Sequence, residues 1–312
     1  MKTEDFKLKT TKGRHKVMRE VFLDIEELNS YLKKAKTNHI FERRKNDLAS
    51  QSHGTGSFND FYCFEDAMKA LNFGYDTHLD SLNKEMKKAQ KLVFKKVLNK
   101  NGNYKKDMVG FTPIVPNVII GNPINMINQN IAQRRIPVCK IIIEKAMLGG
   151  VDSEDTIKYF SVFFVLLQLI ENKGIRCELW ISGTSECGEE IHTFKLKLKD
   201  AMQPINIYKL QFPIISADMF RRIGFRLKET TPTMEENWTW GYGSTLINMT
   251  RSHYRTTEDY KPNKGMQEIL DIDENWVYVP NVEHAKMENK STEQILKFFT
   301  TKTALKDYIK IE

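Results

Sequence analysis

The sequence predicts an α/β protein, with a mixed sheet covered by helices and a helical N-terminal region leading into it. Three observations carry that prediction. "VCKIII", Val138 to Ile143, is a continuous β-branched apolar run, the composition of a strand buried on both faces in a parallel sheet. A long apolar helix pattern follows, stopped by Gly174, and "IRCELWIS" then begins a second strand, so the unit reads as strand, crossover helix, parallel strand. "IHTFKLKLK" alternates instead: Ile191, Thr193, Lys195, Lys197 and Lys199 on one side, and His192, Phe194, Leu196 and Leu198 on the other. That period of two predicts an antiparallel or edge strand with one wet face, in a hairpin with the strand before it.

The elements follow in order. Residues 1–105 are read as the helical N-terminal region and residues 106–312 as the α/β domain with a C-terminal helix. "REVFLDIEELNSYLKKAK" has the apolar spacing of a helix, with Val21, Leu28 and Leu32 on its buried side. "SFNDFYCFEDAMKALNFGYD" predicts a second helix, capped by Asn59 or Asp60 and stopped at Gly74. A third runs from about Asp80 to Leu98, where Leu82, Met86, Ala89, Val93 and Val97 form the buried stripe and lysines line the opposite face. "MVGFTPIVPNVIIGNPINMI" is punctuated by Pro113, Pro116 and Pro123, and predicts short extended pieces wrapped over a core. The crossover helix starts at Ser153 as its cap, with Glu154 and Asp155 in the favourable first turn. "INIYKLQFPI" reads as a further strand or extended connection, and "SADMFRRIGFRLKE" as a helix capped by Ser216. "NWVYVP" reads as a last short strand, and the segment from Ser291 onward as the closing helix.

Composition bounds the function. The chain has 312 residues, 40% hydrophobic and 28% charged, enough for a substantial core. Lys and Arg number 48 against 40 Asp and Glu, a formal charge of +8 that admits nucleic acid, acidic proteins or anionic surfaces as partners. The excess is spread thinly, and runs such as "KKAQKLVFKK" read as solvated faces of docked helices. Cys63, Cys139, Cys177 and Cys187 form no C-x-x-C pair, which argues against a zinc knuckle and for a reducing compartment, with Cys139 and Cys177 as core thiols. The opening "MKTEDFKLKTTKGRHK" lacks an apolar h-region, and the longest apolar run, Tyr159 to Ile170, falls short of the ~20 residues that span a bilayer. A cytoplasmic protein with no membrane partner is expected.

The loop after the first buried strand, "EKAMLGGVDSED", is where such frames hold their chemistry. It contains neither G-x-G-x-x-G nor a P-loop, and Gly149-Gly150 offers only a turn. The von Willebrand factor A type domain, which shares this strand order, places a D-x-S-x-S metal loop here. Glu144, Ala146 and Leu148 stand at the matching places, so two oxygen ligands are replaced by apolar side chains, and neither a metal nor a cofactor is expected. Asp152, Ser153 and Asp155 are explained by helix capping.

Taken together, "VPNVIIGNPINMI", "VCKIII", the long helix, "GIRCELWIS" and "PIISADMFRRIGF" resemble an uncharacterised family met mainly in bacteriophages and prophages. Its shared features are a Gly-x-x-Ser-Phe region, here Gly54 to Phe58, and a Val-Pro…Gly-x-Pro-x-x-Met segment, here Pro116, Gly121, Pro123 and Met126. The resemblance covers residues 50 to 230. It implies a Rossmann-like core similar to a degenerate von Willebrand A domain, a phage-linked protein in the host cytoplasm or virion, and no catalytic residues to carry over.

Two arginine pairs, Arg134-Arg135 and Arg221-Arg222, with Arg226 a turn beyond, form either a phosphate-binding rim or salt-bridged surface groups. "ENWTWGYGSTLINMTRSHYR" gathers Trp238, Trp240, Tyr242, His253, Tyr254 and Arg255, which either stack bases or pack a loop onto the sheet. His192 reads as a hydrogen-bonded core histidine, His53 and His253 lie in polar loops, and Ser185, Cys187 and Glu189 form no nucleophile elbow. The expected function is a non-enzymatic interaction protein that binds a protein partner through the sheet's carboxyl edge or the aromatic loop. The alternative is a nucleic-acid-binding protein using Arg134, Arg135, Arg221, Arg222 and the Trp238 to Arg255 loop.

Overall fold

The structure is a computed structural model, which describes the 312-residue chain apart from residues 11–12, 43–47, 49, 51–59, 98–104, 108–111, 114, 121, 129–136, 148–150, 233–241, 243, 246–259 and 310–312. Its centre is a seven-stranded mixed sheet. Strands β1 (Lys2–Thr10) and β2 (Gly13–Phe22) form an antiparallel hairpin at one edge. Strands β3 (Lys105–Asp107), β4 (Thr112–Pro113) and β5 (Met126–Asn128) make a separate small antiparallel sheet. The main sheet continues with β6 (Val138–Glu144), β7 (Arg176–Cys187), β8 (Glu190–Lys199), the two-residue β9 (Ser244–Thr245) and β10 (Val277–Val279). Its order is β1-β2-β8-β7-β6-β10, with β9 pairing on β7. β10, β6 and β7 run parallel, and β7 with β8 antiparallel, so the α/β class with a mixed sheet is as the sequence predicts.

Helices α1 (Ile25–Lys34), α2 (His39–Glu42), α3 (Phe64–Phe73) and α4 (Leu79–Val97) precede the small sheet, and α5 (Val115–Ile119) lies within it. The crossover helix α6 (Ser153–Asn172) connects β6 to β7. Tyr159, Phe160, Phe163 and Leu166 on it are wholly buried, because the sheet covers one side and α4 and α10 (Thr292–Lys302) the other. This is the all-round apolar pattern of a central helix. On the opposite face of the sheet, α9 (Lys264–Leu270) covers a smaller core of Leu8, Val17, Ile142, Ile191 and Tyr278.

Several predicted elements change character. Lys2–Thr10 and Gly13–Phe22 are strands, so the region before residue 105 is not purely helical, and Arg19 to Phe22 belong to β2 rather than to α1. β8 pairs antiparallel with β7 in the predicted hairpin but is not an edge strand, because β2 pairs in parallel along its other edge. Its lysines stay inside by bonding carbonyl groups, Lys195 Nζ to Asp271 O at 2.8 Å and Lys199 Nζ to Cys177 O at 2.7 Å. The predicted strand at 205–214 is helix α7 (Ile207–Ile215), capped by Asn206, whose side chain accepts from Lys209 N at 3.2 Å. A short apolar run suits a buried helix as well as a buried strand, and burial of Leu210, Phe212 and Ile214 decides for the helix.

Ser216 ends α7 instead of starting the next helix, which opens as a π-helical turn, Met219–Gly224, and continues as α8 (Phe225–Thr230). The cap of α6 is Asp152, one residue before the predicted Ser153, and that of α3 is Cys63. Gly74 does stop α3, at φ +99°, where an added Cβ would also lie 2.1 Å from the Tyr208 ring. Cys139 and Cys177 face each other across β6 and β7 as buried free thiols.

Candidate functional site

In an open α/β sheet the natural ligand crevice lies beyond the carboxyl ends of parallel strands, where the chain departs to opposite sides. Here that point falls between β6, which leads through α6 to β7, and β10 on its other flank. Glu144 ends β6 and is wholly buried. Its Oε1 accepts from Ala146 N at 2.8 Å and Thr184 N at 3.4 Å, and its Oε2 from Ser182 Oγ at 3.3 Å. Burial pushes this carboxyl up to about 8, so it is protonated at neutral pH and ties β6 to β7. On the β10 side, Asn281 Nδ2 donates to Ala146 O and Asn281 Oδ1 accepts from His284 N at 2.8 Å. Tyr159 Oη donates to Pro280 O at 3.0 Å. The loop starts that would cradle a ligand therefore spend their polar groups on one another.

Lys145, the next residue, is also wholly buried. Its Nζ donates to Ile214 O at 2.7 Å and lies over the Phe160 ring at 5.7 Å, and burial lowers its pKa to about 7. Lys228 on α8 repeats the arrangement: its Nζ donates to Tyr242 O at 2.8 Å and sits over Phe220 and Phe225, and burial again lowers it to about 7.

His192 occupies the interior beside these groups. Its Nε2 is 3.2 Å from Thr231 Oγ1 and 3.7 Å from Glu20 Oε2, and burial lowers its pKa, which favours the neutral ring. It is the hydrogen-bonded core histidine that the sequence predicts.

The nominated binding residues divide by position. Arg134, Arg135, Trp238, Trp240, His253 and Arg255 lie outside the described residues. Arg222 is wholly buried, with Nε 3.4 Å from Asp218 Oδ1 and Nη2 donating to Phe61 O at 3.0 Å. Asp218 Oδ2 in turn accepts from Asp60 N at 2.7 Å and Phe61 N at 2.9 Å, so the pair clamps residues 60–62 onto the π-helical turn. Burial still holds the Asp218 carboxyl up at about 6. Arg221 is half-buried, and burial lowers its pKa.

Tyr242 stacks on Phe225 at 4.1 Å between centroids and donates to Glu229 Oε1 at 2.6 Å. Its ring packs directly against α8. Among the described residues no trio of His, Cys, Asp or Glu is placed to hold a metal ion, and no helix is long and apolar enough to cross a membrane.

The surface holds what sequence reasoning missed. α5 and the turn after it present Val115, Val118, Ile119, Ile120 and Ile124 outward, with Ile119 at 78% and Ile120 at 74% exposure. The turn is internally fixed: Asn122 N donates to Asn117 O at 2.9 Å, Asn117 Nδ2 to Ile124 O at 2.8 Å and Ile124 N to Asn122 Oδ1 at 2.9 Å. An ordered turn thus holds a contiguous aliphatic ridge in water. The proline-rich segment was expected to wrap over a core, and Val115, Val118, Ile119, Ile120 and Ile124 within it are exposed. The available signal was an unbroken aliphatic run inside a turn-rich segment.

Fold and site together define an α/β protein whose carboxyl-edge crevice is closed by its own buried polar groups and whose apolar display is a surface ridge. Residues 6–303 match the family described as Domain of unknown function (DUF7192), and the chain belongs to that family. Neither the curated proteins nor the solved structures contain a match to this chain.

Proposed function

We propose that the chain is a non-enzymatic, phage-encoded interaction protein that binds a protein partner in the host cytoplasm or during virion assembly. The ridge of Val115, Val118, Ile119, Ile120 and Ile124 carries this reading. Contiguous exposed aliphatic surface is costly in water and characterises interaction sites. Its β-branched side chains lose little freedom on docking, and burying each contributes about 1.5–3 kcal/mol. The phage origin and the degenerate von Willebrand A reading of the core are supported by the sequence resemblance. The von Willebrand A reading is also supported by Glu144, at the first position of the metal loop, being turned inward onto β7.

Affinity capture of the tagged full chain from its native cell, with and without nuclease, tests the proposal. Stoichiometric protein partners that survive nuclease support it. Turnover of nucleotides, or cleavage of nucleic acid lost on changing Asp152 or His192, overturns it.

The second reading, nucleic-acid binding, is favoured by exposed Lys140, whose Nζ stands 5.5 Å from the ring centroid of half-buried Trp276, whereas the neighbouring Trp180 and Lys195 are buried. Cations beside indoles are the elements of a stacking platform, but Glu178 and Asp271 lie among them and offset their charge.

A further inference from the structure

We infer that the cavity at the amino end of β10 binds an alkylammonium group, carried either by a small amine or by a lysine side chain of another protein. This inference does not depend on the ridge at α5. The cavity measures about 200 Å³ and is walled by residues 260–262, by the turn that leads into β10, and by the short helix Ala304–Asp307 with Tyr308 after it. It lies at the opposite end of β10 from Asn281 and the carboxyl-edge crevice.

The occupant follows from size and lining. A volume of 200 Å³ is the share of about six water molecules and falls below the roughly 300–1,000 Å³ of sites that enclose drug-sized ligands, so the cavity takes one small group rather than a whole nucleotide. Four aromatic rings line it, those of Tyr260, Trp276, Tyr278 and Tyr308. The faces of such rings are electron-rich and attract cations, most strongly where water is kept away. Burial pushes all three phenols up, Tyr308 to about 12, so they line the cavity as neutral hydroxyls. Trp276 already draws cations on its own: Lys195 Nζ stands 4.7 Å and Lys140 Nζ 5.5 Å from its ring centroid, and neither lysine lines the cavity.

Charge agrees with the rings. The exposed carboxylates of Asp273, Glu274 and Asp307 line the cavity, against one cation, the exposed Lys261. Among the described residues none of these three carboxylates forms an ion pair, so their charge faces an incoming ammonium group and repels a phosphate or carboxylate. The walls are also fixed in advance. Gln267 Nε2 donates to Pro262 O at 2.9 Å, Asn275 N donates to Asp273 Oδ1 at 2.8 Å, and Tyr260 packs edge-on against Phe298 at 5.0 Å between centroids. A preformed cavity loses little binding energy to ordering.

The test is isothermal titration of the full chain with choline and with Nα-acetyl-lysinamide, each beside an uncharged counterpart, the tert-butyl isostere of choline and the Nε-acetylated amide. The ammonium forms should bind at least about tenfold more tightly than the neutral ones. Tighter binding of choline identifies a free amine as the source, and tighter binding of the amide a protein side chain. Tyr308→Leu should weaken binding about tenfold while Tyr308→Phe leaves it unchanged, because the ring and not the hydroxyl is required. Glu274→Gln/Asp307→Asn, at two exposed positions, should weaken it about threefold with an unchanged melting temperature, and Ile119→Asp/Ile120→Asp should leave it as in the native chain.

No binding of either ammonium compound at about 10 mM would overturn the inference. So would equal binding of the uncharged counterparts, or binding that neither Tyr308→Leu nor Glu274→Gln/Asp307→Asn weakens.

Discussion

Glu144 shows at the scale of one residue how a site can be present in outline and spent on structure. Its raised pKa has a definite consequence for stability. The folded carboxyl, near 8, holds its proton where the unfolded one, near 4.5, has lost it, so stability from this group is full below 4.5 and declines as pH rises through 8. Lys145 and Lys228 act in the opposite sense: lowered to about 7 from 10.5, they make stability rise with pH between those values. Glu144→Gln should therefore flatten the fall in melting temperature between about pH 5 and pH 8, and an unchanged slope would remove this account of the carboxyl.

Arg222 was legible as an arginine but not as a buried one. Its partner Asp218 is four residues earlier, the ordinary helical pair spacing, and what that spacing does not show is the burial of the pair against residues 60–62. Arg222→Ala removes the buried guanidinium that faces Asp218 and bonds Phe61 O, and should cost about 3–5 kcal/mol in urea unfolding. Gly183 is a third case, since a Cβ there would lie 2.4 Å from Phe194 and 2.7 Å from Phe220. Gly183→Ala should destabilise by about 1–3 kcal/mol, read as a lower denaturation midpoint.

At the scale of elements, legibility followed how much the pattern depended on distant neighbours. The buried strand β6, the helix α6 and the stripe of α4 each declare themselves within one segment, and the structure forms all three. The closing helix α10 begins at the predicted Ser291, whose hydroxyl accepts from Gln294 N at 3.3 Å while the Gln294 side chain accepts from Ser291 N at 3.0 Å. Ser291→Ala should cost about 1 kcal/mol, visible as a lowered melting temperature, because it opens this reciprocal cap.

β8 was legible as the second strand of an antiparallel hairpin, but its lysines looked solvent-bound because the carbonyl groups that take them up, those of Asp271 and Cys177, come from elsewhere in the chain. The β1 and β2 hairpin carried a weak signal in the alternation of Phe6 with Leu8, diluted by the charged residues that protect an edge strand from further pairing. α7 was ambiguous for a local reason, an apolar run too short to show its period.

For the whole molecule, the polar groups of Glu144 and Asn281 at the carboxyl end of β6 bond within the fold, and the proposed function rests on the surface, where sequence patterns are least informative. The aliphatic ridge lay in a segment singled out for its prolines and glycines, and nothing in that pattern distinguished exposed from buried aliphatic side chains. The measurement that tests the account most directly is parallel capture with the native chain and the Ile119→Asp/Ile120→Asp variant, each at about 50 mM and about 500 mM salt after nuclease. The account predicts the same protein partner in stoichiometric amount at both salt concentrations with the native chain, and its loss with the variant, whose melting temperature stays unchanged. Recovery that collapses at the higher salt or on nuclease treatment, with the variant behaving like the native chain, would contradict it and make phosphate contacts the basis of binding.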